Sequence, residues 1–182
     1  MPGTSATPER SLDLHQVLFT PWRYAYITGE QKPAADACFL CAAAQASEEP
    51  ERLVVHRTAH HLVLLNRHPY SSGHLMVAPL VHAGCPEMAA PAARAELWPL
   101  VLRVRAVLER AYAPDGFNLG INLGSAAGAG VPGHFHFHVV PRWRGDSNFM
   151  AAIGDVRLVP EDPLAARERL RRLFAPAEET PA

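Results

Sequence analysis

Only three cysteines occur in 182 residues. So small and odd a number argues against a disulfide framework and suits a reducing cytoplasm. No apolar run approaches the ~20 residues of a membrane span, so no membrane partner is expected. Residues 1–10 lack the apolar stretch of a secretory leader. A net charge of −1 leaves no surplus of either sign for a nucleic-acid or membrane surface. The glycine-rich stretch at 124–133 has no Gly-Lys-Ser/Thr, so it is not a P-loop. Neither an internal repeat nor a second-domain linker is visible.

What is present reads as one domain. Hydrophobic residues make up 48% of the chain, enough for a substantial core. The expected organisation is a polar tail at 1–15, a single domain at 16–174 with a C-terminal extension, and a second tail at 175–182. Leu14, Val17, Leu18 and Phe19 suggest a docking turn, and 20–27 an extended aromatic arm. Residues 42–49 read as a short helix stopped by Pro50. Strands are expected at 53–55, 62–65 and 73–79, joined by turns at 57–60 and 70–73, which makes an antiparallel meander. Leu97, Val101, Val104, Leu108 and Ala111 recur every three or four residues, which predicts one apolar stripe on a helix over 91–112. Pro99 predicts a kink or a break after Trp98. A fourth strand is expected at 117–123. Residues 164–174 read as a basic helix with a solvated arginine face. The fold class is α+β: about five antiparallel strands, one main helix and a C-terminal helix.

The most informative stretch is Gly133-His134-Phe135-His136-Phe137-His138-Val139-Val140-Pro141. On a strand, alternate side chains face opposite ways. His134, His136 and His138 then share one face, and Phe135, Phe137 and Val139 share the other. Imidazole ligates metals and serves as a nucleophile near neutral pH, so both metal ligation and covalent catalysis are open. Cys38-Phe39-Leu40-Cys41 supplies half of a metal site, a redox pair or two core thiols. Cys85 reads as a small core residue. Glycine and small residues at 124–133 let backbone N–H groups approach an anion.

The order His-apolar-His-apolar-His-apolar-apolar resembles the signature of the histidine triad superfamily of nucleotide hydrolases and transferases. The resemblance continues through 62–70, 73–79 and 118–133, and covers roughly 38–145. Pro141-Arg142-Trp143 and residues 145–149 resemble the branch that contains bacterial diadenosine tetraphosphate phosphorylases. The resemblance implies His136 as nucleophile, with His138 assisting and His134 orienting the site. It implies Asn66 at a ribose and Asn122 near the reacting phosphate. Ser125, Gly128, Gly130 and Arg142 would bind substrate, with Arg142 and Arg144 adding positive charge near the phosphates. Asn66 has a plainer reading as a turn-forming asparagine. In zinc-containing relatives the ligands match Cys38, Cys41, His74 and His134, so zinc is expected and no organic cofactor. The implied partners are a dinucleoside polyphosphate, inorganic phosphate and a second copy of the chain. The alternatives are a hydrolase of these substrates or of nucleoside phosphoramidates, and a non-catalytic zinc- or nucleotide-binding module.

Overall fold

The computed structural model describes residues 38–46, 52–146 and 161–175. The docking turn at 14–19, the aromatic arm at 20–27 and residues 147–149 lie outside the described residues. The elements are α1 (Phe39–Gln45), β1 (Val54–Arg57), β2 (His61–Leu65), β3 (Leu75–Pro79), α2 (Pro91–Tyr112), β4 (Gly116–Ile121), β5 (Phe137–Arg142) and α3 (Pro163–Phe174). The five strands form one antiparallel sheet in the order β1-β2-β3-β5-β4. This is the expected α+β architecture.

Strand alternation sorts the sheet into two faces. Val63, Leu65, Leu75, Val77 and Val139 point one way and pack against Val101, Val104 and Leu108 of α2 and Leu170 and Phe174 of α3. Leu62, Leu64, Met76 and Ala78 point the other way and bury Leu40 and Ala43 of α1. Because both faces are covered, every residue of β2 and β3 is buried. A run of continuous apolar residues is what such a strand needs, whereas a strand with one wet face would alternate. The helical stripe is present on α2, widened by Ala93, Leu100 and Val107. His61, at the head of β2, is 1% exposed and ties the sheet to α2 through Glu96 Oε1 at 3.1 Å.

Several boundaries differ from expectation. α2 does not break at Pro99, which lies inside the helix on its exposed face. The lost N–H costs one bond there, and burial of the opposite stripe carries the helix through. α1 begins at Phe39 rather than at residue 42, so Cys38 is its N-cap and Cys41 lies in its first turn. Cys85 is only half-buried and precedes the 3-10 turn Pro86–Met88.

The arginines of α3 are not all solvated. Arg167 is 3% exposed, and its Nε donates to the Val54 carbonyl at 3.0 Å. Arg169 lies 4.2 Å above the Tyr112 ring and pairs with Glu161. The Val54 carbonyl and the Tyr112 ring come from elements far away in sequence, so composition alone reads the face as wet.

The largest correction concerns the histidine stretch. The β3–β5 ladder runs only from Leu75↔Val139 to Val77↔Phe137. Upstream of Phe137 the chain bonds elsewhere: the Phe135 N–H donates to the Ala83 carbonyl at 2.7 Å, and the His134 N–H to Val131 at 3.1 Å. Only His138 therefore stands on the strand. Phe135 is buried but does not join the cluster that holds Phe137 and Val139.

Candidate active site and metal centre

Antiparallel register divides the three histidines between two groups. Met76 pairs with His138. Residues before His138 therefore run toward the C-terminal end of β3, and His138 itself lies near the N-terminal end, where His74 sits. His74 Nε2 lies 2.9 Å from His138 Nδ1. The His136 and His138 rings meet edge to face at 4.8 Å. His134 instead reaches the far end of β3, where its Nε2 lies 2.9 Å from the Pro79 carbonyl.

The hydrogen bonds fix which nitrogen carries each proton. The Tyr70 backbone N–H donates to His74 Nδ1 at 3.1 Å. A backbone amide is always a donor, so His74 Nδ1 accepts and the His74 proton sits on Nε2. His74 Nε2–H then donates to His138 Nδ1, which leaves His138 with its proton on Nε2. His136 Nδ1–H donates to the His134 carbonyl at 3.1 Å, so the His136 lone pair is on Nε2. Side by side stand an imidazole with a lone pair to give and one with a proton to give. A nucleophile and a proton donor need these two forms.

Burial keeps both rings neutral. His136 is 5% exposed, and burial lowers its pKa against a smaller opposing effect of the bond to His134. His138 is lowered to about 4, first by burial and then by the charge His136 would carry. A folded-state value below the ordinary imidazole value means that the unfolded chain binds the extra proton first. His138 therefore contributes stability above about pH 6.5 that is lost as pH falls toward 4. Titration of the His138 ring by NMR is expected to show no protonation until pH approaches 4. A midpoint near 6.5 would overturn the neutral assignment.

The second group contains the cysteines. One donor atom from each of Cys38, Cys41, His82 and His134 lies within 4.8 Å of every other. Among the described residues this is the one such cluster found. Cys38 Sγ is 3.2 Å and Cys41 Sγ 3.4 Å from His134 Nδ1, and Cys41 Sγ is 3.2 Å from His82 Nδ1. With metal arms of ~2.0 Å to nitrogen and ~2.3 Å to sulfur, the edges of a tetrahedron are roughly 3.3–3.8 Å, so these separations fit zinc. The bond from His134 Nε2–H to Pro79 turns the bare Nδ1 toward the sulfurs, as an outer partner does for a ligating histidine. Burial is the first cause that raises the Cys41 thiol pKa, and Cys38 adds to it.

His74 was expected in this set and is not part of it. His74 and His82 flank β3, up to roughly 25 Å of extended chain apart. Only the one at His134's end reaches the cysteines. His82 is the residue that the sequence reading missed, and the register of an antiparallel β3–β5 pair is the signal that points to it.

The expected substrate contacts fare unevenly. Asn66 Oδ1 accepts the His68 N–H at 2.9 Å, its plainer turn-forming role, while Nδ2 lies 3.5 Å from His74 Nδ1. Asn122 is half-buried just after β4, at the mouth of the glycine loop. Ser125 opens an exposed 3-10 turn that Gly128 closes with φ 79°. The Gly128 N–H is spent on the Ser125 carbonyl at 2.9 Å, so Gly128 shapes the loop rather than donating to an anion. Gly130 lies further along the same loop, half-buried.

Arg142 is not near the loop. It pairs with Gly116 at the end of β5 opposite Phe137, about 17 Å along the strand. There it donates to both carboxylate oxygens of Asp146 and to Asn118 Oδ1. The Arg144 backbone N–H is held by Asp115 at the same end. The two arginines therefore add no charge beside the glycine loop.

Known proteins resemble this chain to different extents. The HIT domain profile matches residues 47–145, more than half of the chain. Over 155 residues the chain is 37% identical to AP-4-A phosphorylase of Mycobacterium tuberculosis, which covers 82% of this chain and 79% of that protein. It is 31% identical over 93 residues to the asymmetrical bis(5'-nucleosyl)-tetraphosphatase of Schizosaccharomyces pombe, covering 51% of this chain and 50% of that one. The crystal structure of a Zn-bound histidine triad family protein from Mycobacterium smegmatis superposes with a TM-score of 0.61 at 27% identity, covering 77% of this chain and 94% of that one.

Proposed function

The chain belongs to the histidine triad (HIT) family of nucleotidyltransferases and hydrolases, and on that premise we propose that it is a dinucleoside polyphosphate phosphorylase. The observation that carries this reading is the pairing of a neutral His136 lone pair with the His138 Nε2 proton. His136 Nε2 attacks an α-phosphorus of diadenosine tetraphosphate. The bond from that phosphorus to the bridging oxygen breaks, ATP leaves, and adenylyl-His136 remains. Inorganic phosphate then attacks the same phosphorus, the P–N bond breaks, and ADP leaves with His136 restored. His138 Nε2–H donates to a phosphoryl oxygen or to the leaving oxygen, and loop N–H groups stabilise the remaining negative charge. Asn66, Asn122, Ser125 and Gly130 are the proposed substrate contacts.

Phosphorylase is chosen over hydrolase because of the similarity to the mycobacterial enzyme over most of both chains. The similarity to the tetraphosphatase favours the second reading, in which water completes the reaction. Separation of nucleotide products with and without inorganic phosphate tests the choice. Phosphate-dependent ADP beside ATP is the expected result. AMP as the second product regardless of phosphate means a hydrolase, and tight binding without cleavage means a sensor.

Cys38, Cys41, His82 and His134 would hold zinc. Four protein donors leave no open position for water, so the metal would supply structural support to the site rather than reaction chemistry. The proposed partner is a second copy of the chain, docked at the open edge of β4. Leu119 on that strand is exposed, as are Trp98 and Leu102 on α2. Sedimentation is expected to give a dimer mass, and a monomer at assay concentrations would remove this contact. Three free cysteines favour the cytoplasm as the location, and no described helix is long and apolar enough to cross a membrane.

A further inference from the structure

Arg57 belongs, by sequence, to a polar turn. In the fold it is the last residue of β1, and its guanidinium covers the C-terminal end of α1. Nη1 donates to the Ala44 carbonyl at 2.8 Å. Nη2 donates to the Ala46 carbonyl at 2.8 Å and also to Ala43. The last carbonyls of a helix have no partner within it and carry the negative end of its dipole. α1 has no basic residue of its own in its last turn, so Arg57 supplies from the sheet what the helix lacks.

α1 needs outside support. It has seven residues, far fewer than the ~12–15 below which an isolated helix is marginal in water. Two apolar side chains, Leu40 and Ala43, bury it against the sheet. Cys38 and Ala44 pack beside them, and the guanidinium adds a polar hold that is a costly one. Among the described residues Arg57 Nε is buried with no hydrogen-bond partner, a penalty of the kind that natural structures avoid unless something offsets it.

The opposite end of α1 carries the metal donors. Cys38 is its N-cap and Cys41 lies one turn in. His82 and His134 come from the segments that follow β3 and precede β5. The four donors converge only where α1 is held at the right height on the sheet. We infer that Arg57 is a positioning residue for the metal set: by gripping the C-terminal carbonyls of α1 it presents the cysteine end to His82 and His134. This rests on the metal reading above.

Glutamine at this position keeps two donors but loses the charge and the fork, and lysine keeps the charge and three donors but loses the planar fork. The test measures zinc affinity of the full-length protein by chelator competition for wild type, Arg57→Gln and Arg57→Lys. Cobalt absorption reports the ligand set, and the melting temperature of the metal-free protein reports the fold. Arg57→Gln is expected to weaken zinc binding about 10–100-fold, as loss of an outer partner does. Arg57→Lys is expected to weaken it less, with the cobalt spectrum at saturation unchanged in both. A lower melting temperature with wild-type zinc affinity would mean a merely structural arginine and would overturn the inference. If Arg57→Gln does not fold, Arg57→Lys decides: reduced affinity supports the clamp, and wild-type affinity overturns it. A wild-type protein that binds no zinc removes the metal reading itself, a result distinct from an Arg57 variant that binds as wild type does.

Discussion

His136→Ala is expected to lower turnover by roughly four to six orders of magnitude while nucleotide affinity changes little. The substitution removes the nucleophilic nitrogen and leaves the loop and the sheet in place. The His136 side chain bonds through Nδ1 to the main-chain carbonyl of His134, so its removal strands a backbone acceptor rather than another side chain. Intact mass measured soon after mixing with diadenosine tetraphosphate should show an adenylyl adduct on wild type and none on the variant. His136→Gly supplied with an adenylyl imidazole should recover the second half-reaction, because the missing ring then arrives with the substrate. Wild-type-like turnover by the alanine variant would sink the covalent mechanism.

His82→Ala and Cys38→Ser are each expected to purify without zinc, whereas wild type and His74→Ala retain about one ion per chain. The difference between the two histidine variants is the sharper half of this prediction, since His74 and His82 bracket the same strand. His74→Ala should instead lose activity with its metal in place, because His138 Nδ1 loses the donor that sets its proton on Nε2. Elemental analysis of protein purified with added zinc and no chelator decides the matter. A zinc-free wild type would leave Cys38 and Cys41 as packed thiols. Metal lost from His74→Ala but kept by His82→Ala would restore the ligand set first read from the sequence.

Much of the fold is legible because it depends on local pattern. The stripe on α2 and the apolar strands β2 and β3 announce themselves by spacing, and the meander by short connections. The triad is legible as a cluster, since histidine at three alternate positions has few bland explanations. Its division is not legible from those positions alone. His134 and His138 are four residues apart, and only the pairing of Met76 with His138 shows that they serve opposite ends of β3. Arg142 and Arg167 differ from expectation for a shared reason. A long cationic side chain is read as solvated or as ligand-facing, yet Arg142 reaches Asn118 across the sheet and Arg167 reaches the distant carbonyl of Val54. Composition carries no record of such meetings.

The relay that arms His138 begins at the peptide nitrogen of Tyr70. Its first donor is thus common to nineteen of the twenty amino acids, while the Tyr70 ring itself lies against His74 with centroids 4.7 Å apart. Proline is the exception, having no N–H to give. The tautomer of His138 is accordingly set at its outer end by the main chain, and at position 70 proline is the one replacement that removes the donor itself.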